Sequence, residues 1–238
     1  MKLIKNLSKI IPIKSQLKVH NFLSKIIPDS RSIQYLTFLP RLNTWAKAHN
    51  EKYHIFDTRY QLYDYLNSKI INNNPIDFIE FGVFEGESIE YWVNLNNNEN
   101  SRFYGFDSFE GFPQDWRNFW GAMKKGHFDL KGKIPNIDDG RLIFIKGLFQ
   151  DKLELFLKNY NPINKLVIHL DCDLYSSTLY VLTRLHYYLK KGTILIFDEF
   201  NTVMCEFRAL EDYCSAYMKY YKIIGTTKYF NKLAIEIL

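Results

Sequence analysis

Four carboxylates close two apolar stretches of this 238-residue chain: His169-Leu-Asp171-Cys-Asp173 ends one, and Ile194-Leu-Ile-Phe-Asp198-Glu199 ends the other. Acids gathered at neighbouring strand ends cannot all stay ionised without a counter-charge. Hard oxygen donors of this kind suit Mg²⁺ or Mn²⁺ before Zn²⁺ or Cu²⁺. Helix capping accounts for one or two of them, Asp173 ahead of Ser176–Lys190 above all, but not for the set. The segment Glu80-Phe-Gly82-Val-Phe-Glu-Gly86-Glu-Ser88 spaces its glycines four apart, so backbone can approach a ligand, but this is not the G-x-G-x-x-G dinucleotide spacing. Asp107, at the end of Phe103-Tyr-Gly-Phe-Asp107, stands where an acid can accept from both hydroxyls of a ribose; a turn or cap aspartate is the plainer alternative. Glycine loop and acid together point to an adenosine-type cofactor. His169, inside an apolar run, is expected to be a hydrogen-bonded core residue rather than a base. Cys172 has no evident activating partner and is given no nucleophilic role.

The elements that carry these residues alternate. Asp57 is a plausible cap for a helix over Thr58–Ile71, which stops at Asn72-Asn-Asn-Pro75. Ile76–Val83, Arg102–Asp107, Leu142–Lys146, Lys165–Asp171 and Thr193–Asp198 are short apolar runs bounded by turn residues, hence buried strands. Helices between them, Glu87–Leu95 among others, make the sheet parallel and cover both its faces. Lys222–Phe230 and Lys232–Leu238 leave no room for a crossover at Asn231 and should pair antiparallel at a sheet edge. The expected fold is therefore α/β: a doubly wound, mostly parallel, seven-stranded sheet closed by a C-terminal antiparallel hairpin. Ligands of such sheets gather at the carboxyl ends of the strands. The segment 112–140, with Trp116, Phe119, Trp120 and Phe128, is too long for a plain connection and is read as a lid over those ends.

The charge is unevenly spread. Residues 1–50 hold nine Lys or Arg against one acid, Asp29, while the rest of the chain holds 22 bases against 25 acids. A nucleic-acid enzyme carries its positive charge around the catalytic face, so no nucleic-acid partner is expected. Within residues 1–56 the run Leu7-Ser-Lys-Ile-Ile-Pro12 returns as Leu23-Ser-Lys-Ile-Ile-Pro28. This basic arm suggests either weak peripheral contact with an anionic membrane or a helical cover packed on the catalytic domain, 57–238. The cover is favoured, because the prolines cut any helix short. Three cysteines without pairing or metal spacing point to a reducing, cytoplasmic setting. No apolar run approaches the length of a membrane span.

Taken in order, Glu80-Phe-Gly-Val-Phe-Glu-Gly-Glu-Ser88, Gly105-Phe-Asp-Ser-Phe-Glu-Gly111, Leu170-Asp-Cys-Asp-Leu-Tyr-Ser-Ser-Thr178 and Phe197-Asp-Glu199 resemble the macrocin O-methyltransferase family, which includes the tylosin, mycinamicin and novobiocin sugar methyltransferases. The resemblance runs from about Ile76 to the C-terminus, and the Asp-Cys-Asp-Leu-Tyr-Ser-Ser-Thr block is its specific part. It implies a class I (Rossmann-like) methyltransferase fold using S-adenosylmethionine, with Mg²⁺ chelating neighbouring hydroxyls of a small-molecule sugar. By position, Glu80, Gly82, Gly86 and Ser88 would cradle the methionine end of the cofactor, with Asp107 and Ser108 at its ribose. Asp171, Asp198 and Glu199 would hold the metal, and Asp173 would be the catalytic base. Several members carry two aspartates where this chain has Asp198-Glu199. A catechol-type phenol as acceptor, a non-catalytic methyltransferase-like binding module and a homo-oligomer complete the expectations.

Overall fold

The computed structural model describes residues 12–28, 30–49, 52–117 and 121–238. Residues 7–11 of the first repeat copy, and Phe119 and Trp120, lie outside that set. One sheet organises the domain, with β1 (His54–Phe56), β2 (Ile76–Phe81), β3 (Arg102–Asp107), β6 (Leu142–Lys146), β7 (Lys165–Leu170), β8 (Ile194–Phe197), β9 (Tyr221–Thr227) and β10 (Leu233–Ile237) in the order β1-β9-β10-β8-β7-β2-β3-β6. A separate two-stranded ribbon, β4 (Trp116–Arg117) with β5 (Ala122–Met123), lies within 112–140. The strands β8, β7, β2, β3 and β6 pair parallel, and β10 pairs antiparallel with both β8 and β9. Every residue of β2 and of β8 is buried, the signature of strands covered on both faces.

Two differences from the expected sheet have a common cause. It has eight strands, not seven, because His54–Phe56 pairs parallel with β9. The hairpin consequently lies inside the sheet, with β10 between β8 and β9, rather than forming its edge. Three residues are too few to show an alternation, so only the tertiary pairing reveals this strand.

The helices are α1 (Ile13–Ile26), α2 (Arg31–Ala48), α3 (Arg59–Tyr65), α4 (Glu87–Leu95), α5 (Phe149–Leu157), α6 (Tyr175–Arg184) and α7 (Glu206–Tyr217). The cap of α3 is Thr58, one residue beyond the expected Asp57. Its hydroxyl accepts from the Gln61 amide in a reciprocal capping box, while Asp57 pairs with Lys228 at 2.7 Å. After Tyr65 the helix widens into a π-helical stretch, Leu66–Ile71, and stops at Asn72 in the left-handed region. The arm divides in two. Helix α2 packs on the domain through Tyr35 and Trp45; the Trp45 ring lies 5.0 Å from Phe200 and its Nε1 donates to the Tyr221 hydroxyl. Helix α1, by contrast, buries no residue.

At the amino ends of the central strands, buried Asp77 is fully engaged. Arg102 Nε donates at 2.8 Å, Asn164 Nδ2 at 3.0 Å and the Tyr160 hydroxyl at 3.2 Å. A buried carboxylate held this way fixes the register of β2 against β3 and frees the opposite end of the sheet for chemistry.

Candidate active site

A cavity of about 330 Å³ opens at the carboxyl ends of β2, β3, β7 and β8. Eight of the ten candidate residues line it: Gly82, Ser88, Asp107, Ser108, Asp171, Asp173, Asp198 and Glu199. Glu80 and Gly86 are not on its wall.

The glycine loop is shaped by its neighbours. Gly82 has φ +95°, and a Cβ there would come within 1.9 Å of the Asp171 carbonyl oxygen. Only glycine therefore lets the β2 loop cross the end of β7. Gly86, with φ +89°, caps α4 and faces Pro135 and Ile137 of the inserted segment. Glu80 is fully buried behind the loop, where its Oε1 accepts from the Ser88 hydroxyl at 2.5 Å. Asp107 is a turn aspartate: Oδ2 accepts from the Val83 and Phe84 amides, each at 2.8 Å, and Oδ1 from the Phe109 amide at 2.7 Å. Three of about four lone-pair positions are thus occupied, leaving one on Oδ1 for a ligand. Ser108 Oγ closes the same turn by donating to the Gly111 carbonyl.

The acidic side is more elaborate than the sequence suggested. Asp198 Oδ2 accepts from the Lys232 ammonium at 2.5 Å, while Arg59 Nη1 lies 3.7 Å and His169 Nε2 3.8 Å from its Oδ1. Burial opposes its ionisation, but His169 and Lys232 outweigh burial and hold its carboxyl below the usual carboxylate range. His169 is fully buried between Asp198 and Glu80, whose Oε2 lies 3.6 Å from Nδ1, and the Tyr63 hydroxyl is 3.2 Å from Nε2. Burial disfavours the imidazolium, but the two carboxylates prevail and raise its pKa to about 10. His169 is accordingly a charged core residue linking the cofactor loop to the acid cluster.

Among the described residues neither Asp171 nor Asp173 forms an ion pair, although His169 and Lys232 act on them at longer range. Burial first, then the Asp198 charge, pushes Asp171 well above its ordinary value. Burial, Glu199 and Asp198 together raise Asp173 to about 7, with Lys232 opposing. Asp173 also sits in the left-handed region at φ +56°, just before α6. A fifth acid, Glu206 at the start of α7, is fully buried; its Oε2 accepts from the Glu199 amide at 3.1 Å. Burial and the neighbouring aspartates push Glu206 well above the usual range. Cys172, between the two aspartates, is buried, and burial keeps its thiol protonated.

Arg59, Lys232 and Glu206 carry no local sequence signal. They enter through contacts between residues distant in the chain, and neither periodicity nor motif reports such contacts. Among the described residues no three Asp, Glu, His or Cys side chains converge as a metal-ligand set. The donors nonetheless suit a hard cation in kind: the carboxylates of Asp171, Asp173, Asp198 and Glu199 are all on the wall, and Asp198 Oδ1 is buried without a hydrogen bond.

The segment 112–140 adds an aromatic wall. Phe84, Phe112 and Phe128 line the cavity, with Phe128 centred 5.0 Å from Phe84 and 5.3 Å from Phe112. Trp116 Nε1 donates to the Asp173 carbonyl at 3.1 Å, and Gln114 Nε2 to the Ser176 hydroxyl at 3.0 Å. The segment is thereby tied to the loop that presents Asp173.

A mostly parallel doubly wound sheet with a β9–β10 hairpin, a glycine turn after its first central strand and its cavity at the strand ends is the architecture of class I methyltransferases. The macrocin O-methyltransferase family model matches residues 56–222, and the chain belongs to that family of S-adenosylmethionine-dependent O-methyltransferases. Among solved structures, it is similar to the O-methyltransferase NovP at 20% identity and TM-score 0.58, over 75% of this chain and 78% of that one. It is equally similar to the calicheamicin methyltransferase CalS11, at 20% identity and TM-score 0.58, over 90% and 96% of the two chains. An O-methyltransferase from Bacillus cereus in complex with SAH gives 13% identity and TM-score 0.50 over 93% and 97%. These likenesses bear on the fold. No curated protein matches the sequence.

Proposed function

We propose that this protein transfers the methyl group of S-adenosylmethionine to a hydroxyl of a small-molecule sugar, with Mg²⁺ held by Asp171, Asp198 and Glu199. The observation that carries this reading is Asp173, a carboxyl that lines the same cavity as the glycine loop and as Asp171, Asp198 and Glu199. A sugar hydroxyl is a poor nucleophile, and a carboxylate within reach takes its proton. Asp173 accepts that proton at its carboxylate, and its position is set by the Trp116 contact to its carbonyl. Gly82, Ser88, Asp107 and Ser108 line the cavity on the glycine-loop side and bind the cofactor; Glu80 and Gly86 support that loop from behind. The aromatic wall acts as a lid that keeps water from the reacting atoms. The cofactor supplies a sulfonium methyl, so alignment is the main task left to the protein. The metal, when bound, supplies charge stabilisation to two adjacent hydroxyl oxygens.

The likeness to NovP, an O-methyltransferase, and to CalS11, a calicheamicin methyltransferase, supports methyl transfer to a small-molecule acceptor. A second solved structure of CalS11, a TDP-rhamnose 3'-O-methyltransferase, favours a sugar over a catechol. Free Cys172, Cys205 and Cys214 support a reducing compartment such as the cytoplasm. Among the described residues no helix is long and apolar enough to cross a membrane. Labelled S-adenosylmethionine with sugar glycosides and catechols in parallel tests the assignment. Transfer to sugars, lost in Asp173→Asn with SAH binding retained, supports it; transfer to catechols alone refutes it. Full activity in EDTA refutes the metal.

A further inference from the structure

Helix α1 is outside the domain core and has two sharply different faces. Val19, Phe22, Leu23 and Ile26 recur at i, i+3, i+4 and i+7 and so share one side. All four are exposed, Phe22 at 61% and Ile26 at 56%. Lys14, Lys18 and Lys25 recur at i, i+4 and i+11 on the opposite side, and the helix contains no acid. Six of its fourteen side chains are large, apolar and exposed, and they gain nothing from staying in water.

The composition of the two faces selects the occupant. Pairing with a second copy of the chain uses a narrow apolar seam flanked by charges of both signs, which set register. Here exposed Ile13 and Leu17 widen the apolar side beyond that stripe, with Gln16 and His20 set between them and Leu23, and the flanking charge has one sign only. A broad apolar arc opposed by lysines alone is the pattern of a helix lying in a lipid interface. The sequence ahead of it adds Lys2, Lys5 and Lys9 and no acid. We infer that α1 docks in the plane of an anionic lipid surface, its apolar arc at the acyl boundary and its lysines among the headgroups. Helix α2, which follows it in the chain, is packed on the domain through Tyr35 and Trp45. Trp45 is seated on Phe200, the residue after Glu199, so the docked arm is braced against one rim of the cavity.

The test is flotation of the full chain with vesicles of phosphatidylcholine alone and of phosphatidylcholine containing phosphatidylglycerol. The protein is expected to float with the anionic vesicles, weakly or not at all with the neutral ones, and less at high salt. Replacing Lys14, Lys18 and Lys25 together by Gln should weaken partitioning about 100-fold, roughly fivefold for each lysine. Phe22→Glu should abolish it, with thermal unfolding and SAH binding unchanged in both variants because neither touches the domain core. Failure of the wild type to float with anionic vesicles overturns the inference, as does equal partitioning of the triple variant. It is also overturned if light scattering shows a dimer that Phe22→Glu dissociates, since a second copy would then cover this face.

Discussion

Replacing Lys232 by methionine separates the two ways in which the acid cluster can be neutralised. The ammonium sits 2.5 Å from Asp198 Oδ2, with side chains only 16% and 9% exposed. Removing one partner of a buried ion pair costs about 3–5 kcal/mol, because the other charge is left unpaired. Asp198 keeps Arg59 at 3.7 Å and His169 at 3.8 Å, so the expected loss is the lower end or below, about 2–3 kcal/mol. For a domain of this size that lowers the unfolding midpoint by about 5–10 °C. The same substitution removes the cation that competes with a metal for Asp198. Mg²⁺ at 100 times its dissociation constant returns about 2.7 kcal/mol. The midpoint of Lys232→Met should therefore rise more with Mg²⁺ than that of the wild type. Because the Asp198 carboxyl is depressed, its contribution is present above the unfolded-state value and lost as pH falls through the folded one. The wild-type advantage over the variant should accordingly shrink in acid. Thermal melts with and without Mg²⁺ across pH decide the matter. A variant as stable as wild type in EDTA, or one with an unaltered response to Mg²⁺, refutes this account of Asp198.

Asp173→Asn should lower methyl transfer about 10²–10⁴-fold, the usual contribution of a general base; activity near that of the wild type would contradict the role. A carboxyl raised to about 7 makes the native state bind more protons than the unfolded chain, so stability should fall as pH climbs toward 7. Asp173→Asn removes that decline and should melt higher than wild type at pH 8 in EDTA. Gly82→Ala places a methyl against the Asp171 carbonyl at φ +95° and should destabilise by about 2–4 kcal/mol, measured by urea unfolding; a neutral result would mean the two loops can separate.

The parallel strands were legible because each is a short apolar run between turn residues. Arg102–Asp107 and Leu142–Lys146 have the bounds that pattern predicts. Register along the sheet also carries the four acids to one cavity, as chain order and strand adjacency require. The protein's own counter-charges, Lys232 and Arg59 beside Asp198, were the part the sequence could not supply. Unpaired carboxylates at strand ends imply some cation, but nothing local distinguishes a metal from Lys232 and Arg59, which come from the far ends of the domain. Glu80 and Asp107 illustrate a related limit. A type and a position at a strand end fit ligand binding and loop bracing equally, and only the hydrogen bonds of Asp107 to Val83, Phe84 and Phe109 reveal the bracing. The arm is a different case: repeat and prolines delimit α1, but whether a helix finds a surface to cover is a property of the assembled domain.

Asp198 is gripped by side chains from three distant parts of the polypeptide, with Arg59 made first, His169 later and Lys232 last. During synthesis on the ribosome, all the acids emerge before Lys232 does. Until that lysine swings in with its hairpin, the growing domain carries an excess of negative charge where its future reaction centre will be. Maturation of the pocket is thus coupled to the closing stitch of the sheet, and a nascent chain stalled before residue 232 would present an acidic, half-built cleft.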